Sequence, residues 1–139
     1  MALPHTFRVC CYSLPLGMAT AITESTYAPV TPAIVSALQQ VVGEDYVLTD
    51  RETLDEHSHD WTEDLHYLPE VVAKPANTAQ IAAILKLCNT ENIPATPVGA
   101  RTGLSGGALP VHGGIVIAME RLNKVLDVDT RSLQMTVQP

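Results

Sequence analysis

The sequence predicts an α+β fold built around a strand–helix–strand unit, on three observations. An apolar helical period runs through Ile81, Ile84, Leu85 and Cys88, the i, i+3, i+4, i+7 spacing of a one-sided helix. Short apolar runs flank it, Val71-Val72-Ala73 before and Ala95 to Val98 after. Beyond them, the twelve residues from Pro97 to Ala108 hold four glycines, a Thr and a Ser, and lead into another strand-like run, Ile115 to Met119.

Residues 1–17 hold one cation, two prolines and the pair Cys10-Cys11 without periodicity, and are expected to be an extension or disordered tail, with Met18 as the native start. A cleaved leader is the competing reading, because Ala19-Thr20-Ala21 resembles a small-residue cleavage site. Arg8 alone makes a weak positive region, however, and Pro15 interrupts the apolar stretch. Residues 18–70 are expected to form an N-terminal helical segment. Thr31 or Pro32 opens a first helix with Ile34, Val35, Leu38, Val41 and Val42 on one side. Asp50 caps a second short helix through Glu56.

Val71 to Ala73 is a brief buried strand closed by Pro75. Asn77 and Gln80 have the spacing of a capping box for the amphipathic helix, which Pro94 ends. Ala95 to Val98 then gives a parallel crossover. Ile115 to Met119 is the next strand. A turn at Asp129-Thr130-Arg131 separates Val125–Val128 from a run in which Leu133, Met135 and Val137 alternate with polar residues, the period of a half-buried strand. Such a strand at the terminus is expected to pair with more chain, because an open apolar edge invites aggregation.

The glycine-rich loop carries the chemistry. Glycine admits positive φ and lets the backbone approach a ligand closely, so that successive N–H groups can form a nest for a phosphate or diphosphate. A Walker A loop would need Gly-Lys-Ser/Thr at its end, whereas Gly106-Gly107 is followed by Ala108-Leu109. A G-x-G-x-x-G fingerprint would place its first glycine on Arg101, and Pro110-Val111-His112-Gly113-Gly114 cannot begin the required helix. What remains is a strand–loop–strand phosphate site at the carboxyl end of a parallel strand, where α/β sheets commonly bind ligands. A glycine loop with no ligand is the bland alternative.

The run from Pro94 to Pro110 resembles the pyrophosphate loop of PCMH-type FAD-binding domains, in the vanillyl-alcohol oxidase/p-cresol methylhydroxylase flavoprotein superfamily. Within it the sequence is most similar to the FAD subunit of glycolate oxidase and to D-lactate dehydrogenases. Ser58-His59-Asp60-Trp61-Thr62 and Pro69 to Pro75 fit the segment and first strand before the loop. Gly114 to Ile117 and Glu120 to Asp129 fit the strand and turn after it. The resemblance implies residues 71–139 as a partial FAD-binding domain, incomplete at its C-terminus. FAD is the implied cofactor, held by Val98, Gly99, Ala100, Arg101, Thr102, Gly103, Leu104, Ser105, Gly106 and Gly107. It also implies a 2-hydroxy acid such as glycolate or D-lactate as substrate of the full-length protein, and further oxidase subunits as partners. Catalytic residues are expected in a later domain, so none is named. One departure stands out. Arg101 occupies a position where the family has glycine or another small residue, and Val98 one where it has arginine. Arg101 could contact a diphosphate or crowd its approach.

Composition narrows the classes. With 46% hydrophobic and 17% charged residues the chain reads as globular. A net charge of −7 without a basic cluster argues against nucleic acid. No apolar stretch approaches the roughly 20 residues of a membrane span. Cys10, Cys11 and Cys88 form neither a disulfide framework nor a CxxC pair, so a cytoplasmic setting is expected. The segment from His57 to His66 holds three histidines and three carboxylates and could be taken for a metal site. A polar surface segment is the favoured reading, with a flavin-proximal or partner-contacting role as the lesser one, and no metal is expected. His112 reads as a turn residue, and Trp61 as a packing residue. The rival functions are a nucleotide- or phosphate-binding module without redox activity, and an inert fragment.

Overall fold

The computed structural model describes residues 26–62 and 64–139. The expectations for the N-terminal tail, the Met18 start, the leader, Cys10 and Cys11 lie outside the described residues.

Two helices precede the central unit. Helix α1 (Pro32–Val42) begins where Thr31 accepts a hydrogen bond from the Ile34 N–H, with Pro32 at its first position. It buries Ile34, Leu38 and Val42 and ends at Gly43, whose φ of 98° suits only glycine. A single 3₁₀ turn then leads to strand β1 (Val47–Leu48) and helix α2 (Arg51–Glu56). Asp50 caps α2 by accepting from the Thr53 N–H at 2.9 Å, as expected. The two-residue β1 was not expected, being too short to show a period.

Strand β2 (Val71–Ala73), helix α3 (Thr78–Glu91), strand β3 (Ala95–Val98) and strand β4 (Ile115–Ala118) make the core. The sheet order is β1-β2-β4-β3, with β4 parallel to both neighbours and β1 antiparallel to β2. Thus β2 and β3, joined through α3, are parallel but separated by β4. Covered on both faces, β2 and β4 are continuously apolar, as buried parallel strands are, while edge strand β3 is only partly buried. Val71, Ala73, Ile115 and Ile117 face α1 and α3, while Val72, Val98, Val116 and Ala118 form the opposite layer with Leu54 and Ala108. Each buried aliphatic side chain contributes about 1.5–3 kcal/mol.

The cap of α3 differs from the expected box in one bond. Asn77 Oδ1 accepts from the Gln80 N–H at 3.0 Å, but Gln80 Oε1 accepts from Ala76 at 2.7 Å. Its amide donates to the Val41 carbonyl, which ties α3 to α1. On the apolar face Ile84 and Cys88 are buried whereas Leu85 is 38% exposed. Leu87 packs against the core in its place, because the covering helix α1 lies to one side. The helix closes at Asn92 in the left-handed region, two residues before Pro94.

Burial pushes the Cys88 thiol up to about 11. Because thiolate is the nucleophile, native Cys88 should react with iodoacetamide at mildly alkaline pH roughly 100-fold more slowly than in denaturant. Peptide mass spectrometry reads the rates; equal rates would contradict the packing.

Strands β5 (Val125–Asp129) and β6 (Gln134–Val137) form a separate antiparallel hairpin. The half-buried expectation fails here. Leu133 is 90%, Met135 61% and Val137 50% exposed, because a lone two-stranded ribbon has no layer to lie on.

Candidate functional site

The parallel strands end on one edge. Lys74 follows β2, the glycine loop follows β3, and Glu120 follows β4. Gly99 to Ser105 and Gly107 are exposed except for half-buried Arg101, and Gly106 is half-buried. A turn closes the loop, with the Leu109 N–H donating to the Gly106 carbonyl at 3.2 Å. Gly106 has φ of 72°, and a Cβ there would sit 3.2 Å from Leu109 Cδ1. At Gly99 and Gly107, by contrast, a Cβ would meet nothing within 4 Å. These two glycines leave open space rather than satisfying a strained backbone.

A second segment clasps the loop. The Trp61 N–H donates to the Gly103 carbonyl at 3.1 Å, and the Gly106 N–H donates to Thr62 Oγ1 at 2.9 Å. Between them Asp60, 6% exposed, accepts from the Thr62 N–H at 2.8 Å. Its Oδ2 has no hydrogen-bond partner among the described residues and lies 3.6 Å from where a Gly103 Cβ would be. Burial raises the Asp60 pKa, but the Thr62 hydroxyl and N–H and the Ala108 N–H dipole outweigh it and hold the carboxyl below its ordinary value. Because the Gly106 N–H is committed to Thr62, the donors without an acceptor among the described residues run from Ala100 to Ser105.

Arg101 has a backbone φ of 58°, a left-handed conformation that costs a non-glycine residue about 1–2 kcal/mol. This is the position where the resembling family carries a small residue. Its guanidinium lies 2.6 Å from Glu56 Oε1 and 4.0 Å from Glu120 Oε1. Glu120 also meets Lys74 Nζ at 2.7 Å. Burial pushes the Glu120 carboxyl up, but Lys74 and then His57 hold it below the ordinary glutamate range. His57 is fully buried. Its Nδ1 is bonded to the Thr53 carbonyl at 2.9 Å, while Nε2 has no hydrogen-bond partner among the described residues and faces Glu120 Oε1 at 3.4 Å.

The polar surface reading of residues 57–66 is therefore corrected. His57, Ser58 and Asp60 are buried, because the chain must tuck beneath the glycine loop to clasp it. Glu63 lies outside the described residues. His59 and His66 are exposed neighbours with ring centroids 5.0 Å apart. Among the described residues no group of three or more metal-ligating side chains gathers. Trp61 is 67% exposed, contrary to the packing expectation, because its backbone rather than its ring is held. His112 stacks obliquely on Tyr27 at 5.2 Å. The sequence reading missed the clasp and Glu70. The Glu70 carboxylate accepts from the Val30 and Gly114 N–H groups at 2.8 and 3.2 Å, partners too distant in sequence to leave a local pattern.

These residues fit the diphosphate of FAD. A run of neutral N–H donors without acceptors among the described residues and two glycines open to close approach suit an anion, and no carboxylate lies within the loop itself. The family described as "FAD binding domain" matches residues 69–139. The chain is 34% identical over 122 residues to a D-lactate dehydrogenase of Anaerostipes hadrus, covering 84% of this chain and 25% of that protein. It is 37% identical over 83 residues to the glycolate oxidase subunit GlcD of Bacillus subtilis (strain 168), covering 60% of this chain and 18% of that protein. It thus spans a quarter or less of the length of these relatives. Among solved structures, p-cresol methylhydroxylase with substrate bound superposes with a TM-score of 0.59 at 24% identity, covering 68% of this chain and 19% of that one. The PCMH-type fold is shared. Among the described residues no helix is long and apolar enough to cross a membrane.

Proposed function

Because this chain belongs to the FAD-binding domain family and has the PCMH-type fold, we propose that it supplies the diphosphate-binding loop of an FAD-linked oxidoreductase that oxidises a 2-hydroxy acid of the glycolate or D-lactate type. The observation that carries this reading is the exposed row of N–H groups from Ala100 to Ser105 that have no acceptor among the described residues, at the carboxyl edge of three parallel strands. Val98 ends the strand that presents the loop. Gly99, Ala100, Arg101, Thr102, Gly103, Leu104, Ser105, Gly106 and Gly107 line it, with the Thr102 and Ser105 hydroxyls as further donors. Gly106 acts through its bond to Thr62.

When bound, FAD supplies a flavin ring that accepts a hydride equivalent from the substrate α-carbon. The chain's own residues bind and orient. The clasp from Asp60 to Thr62 holds the loop backbone in place before ligand arrives, so little ordering entropy opposes binding. The base that takes the hydroxyl proton is assigned to no residue here. The substrate class rests on the similarity to a D-lactate dehydrogenase and a glycolate oxidase subunit. Residues 71–139 serve as the FAD-binding part, and further protein, from the same polypeptide or from partner subunits, completes the enzyme. The hairpin supports this, since its apolar residues Leu126, Val128, Leu133 and Met135 are all more than half exposed and call for a covering layer.

The test is anaerobic mixing of the FAD-loaded enzyme, this chain together with the further protein that completes it, with glycolate, D-lactate and L-lactate. Bleaching of the flavin absorbance by glycolate or D-lactate is expected. A flavin that none of them reduces would overturn the substrate class.

A further inference from the structure

We propose that the Arg101 side chain is the latch of the glycine loop, fixing the loop backbone through Glu56 while its guanidinium makes no contact with the diphosphate. The inference deepens the flavin-binding reading and concerns a residue that distinguishes this chain. Arg101 holds a left-handed backbone (φ 58°), which persists in a non-glycine residue only where the surroundings impose it. What imposes it is visible at the side chain, which is only 22% exposed. One terminal nitrogen lies 2.6 Å from Glu56 Oε1 and the other 4.0 Å from Glu120 Oε1. With both ends of the guanidinium turned to carboxylates, reaching a phosphate would require breaking the Glu56 contact.

Glu56 is the last residue of α2, and the chain runs from it directly into the clasp at Asp60, Trp61 and Thr62. The loop is thus held twice by one short stretch, at Arg101 through Glu56 and at Gly103 and Gly106 through Trp61 and Thr62. Behind this stretch Glu120 is anchored by Lys74 at 2.7 Å, so the latch stands on a post fixed to the ends of β2 and β4. Releasing Arg101 should therefore loosen the two clasp bonds, whose donors are the Trp61 and Gly106 amides.

Amide hydrogen exchange on the ligand-free chain tests this. Arg101→Ala and Glu56→Gln should each speed exchange at Trp61 and Gly106 by about two- to fivefold, the range a partly exposed ion pair supports. The double variant should be no faster than either single one. Unchanged exchange at Val72 and Val116 serves as the control that the sheet is intact. Exchange at Trp61 and Gly106 that ignores Arg101→Ala, or effects that simply add, would overturn the latch. A second arm uses ADP as probe. Affinity should fall in Arg101→Ala while its salt dependence stays the same, whereas a salt slope reduced by about one would make Arg101 a phosphate contact. If ADP and FAD do not bind at all, the flavin reading fails, and the exchange result still decides the latch.

Discussion

Gly114→Ala should lower the stability of the chain by at least about 3 kcal/mol, more than any other single-methyl change in the loop or at its base. Gly114 has φ of 68°, which already costs an alanine about 1–2 kcal/mol. Its Cβ would also overlap the Pro94 carbonyl oxygen and stand 2.6 Å from Pro94 Cγ. That carbonyl cannot retreat freely, because it accepts the Ile115 N–H at 2.9 Å where β3 and β4 begin their pairing. The Gly114 carbonyl in turn accepts the Glu70 N–H, and its N–H donates to the Glu70 carboxylate. Relief therefore means moving β4 away from β3 or losing the Glu70 bonds. For a domain of about 100 residues the loss corresponds to a fall in Tm on the order of 12–25 °C. Thermal unfolding followed by circular dichroism checks it, and a fall of only a few degrees would mean that the close approach is not tight.

Gly107→Val should leave the fold intact and reduce FAD binding by about 100-fold or more. The reasoning is the reverse of that for Gly114. No positive φ constrains Gly107, and its Cβ would enter open space, so the substitution meets no atom of the chain itself. Gly107 lies two residues beyond Ser105, the last of the N–H groups proposed to hold the diphosphate. A side chain there keeps the anion from at least two charge-assisted hydrogen bonds, each worth about 1.5–3 kcal/mol, and 1.4 kcal/mol is tenfold in affinity. Gly106→Val is a poorer probe, because its positive φ and its contact with Leu109 would distort the loop before any ligand is considered. Equilibrium dialysis with FAD, paired with the melting temperature of the same variant, separates blocked binding from lost structure. Undiminished binding in Gly107→Val would move the diphosphate elsewhere.

What the sequence revealed was what local rules govern. Asn77 and Asp50 announced their helices because a cap bond spans only three residues. The crossover from Val71 to Val98 was readable because a buried parallel strand, an amphipathic helix and a second strand each carry their own signature. The glycine loop was legible for the same reason, through spacing alone. What escaped was long-range. The clasp joins Trp61 to Gly103 and Thr62 to Gly106, and neither partner advertises the other. The burial of His57 and Asp60 stems from that clasp, so a charged segment that looked like surface proved to be the loop's support. Arg101 was seen as unusual, yet its partner Glu56 lies 45 positions away, and the choice between contact and crowding omitted the ion pair. The alternation of Leu133, Met135 and Val137 was real as a strand signal, but period alone does not supply the layer that would bury one face.

The most direct measurement is the shift of backbone amide resonances as FAD is added to the chain. Saturable shifts concentrated from Gly99 to Gly107 and reproduced by ADP are the predicted result, because the diphosphate is common to both. FAD binding that leaves the Ala100–Ser105 amides unmoved, or no saturable shift anywhere, would contradict the assignment of this loop as the diphosphate site.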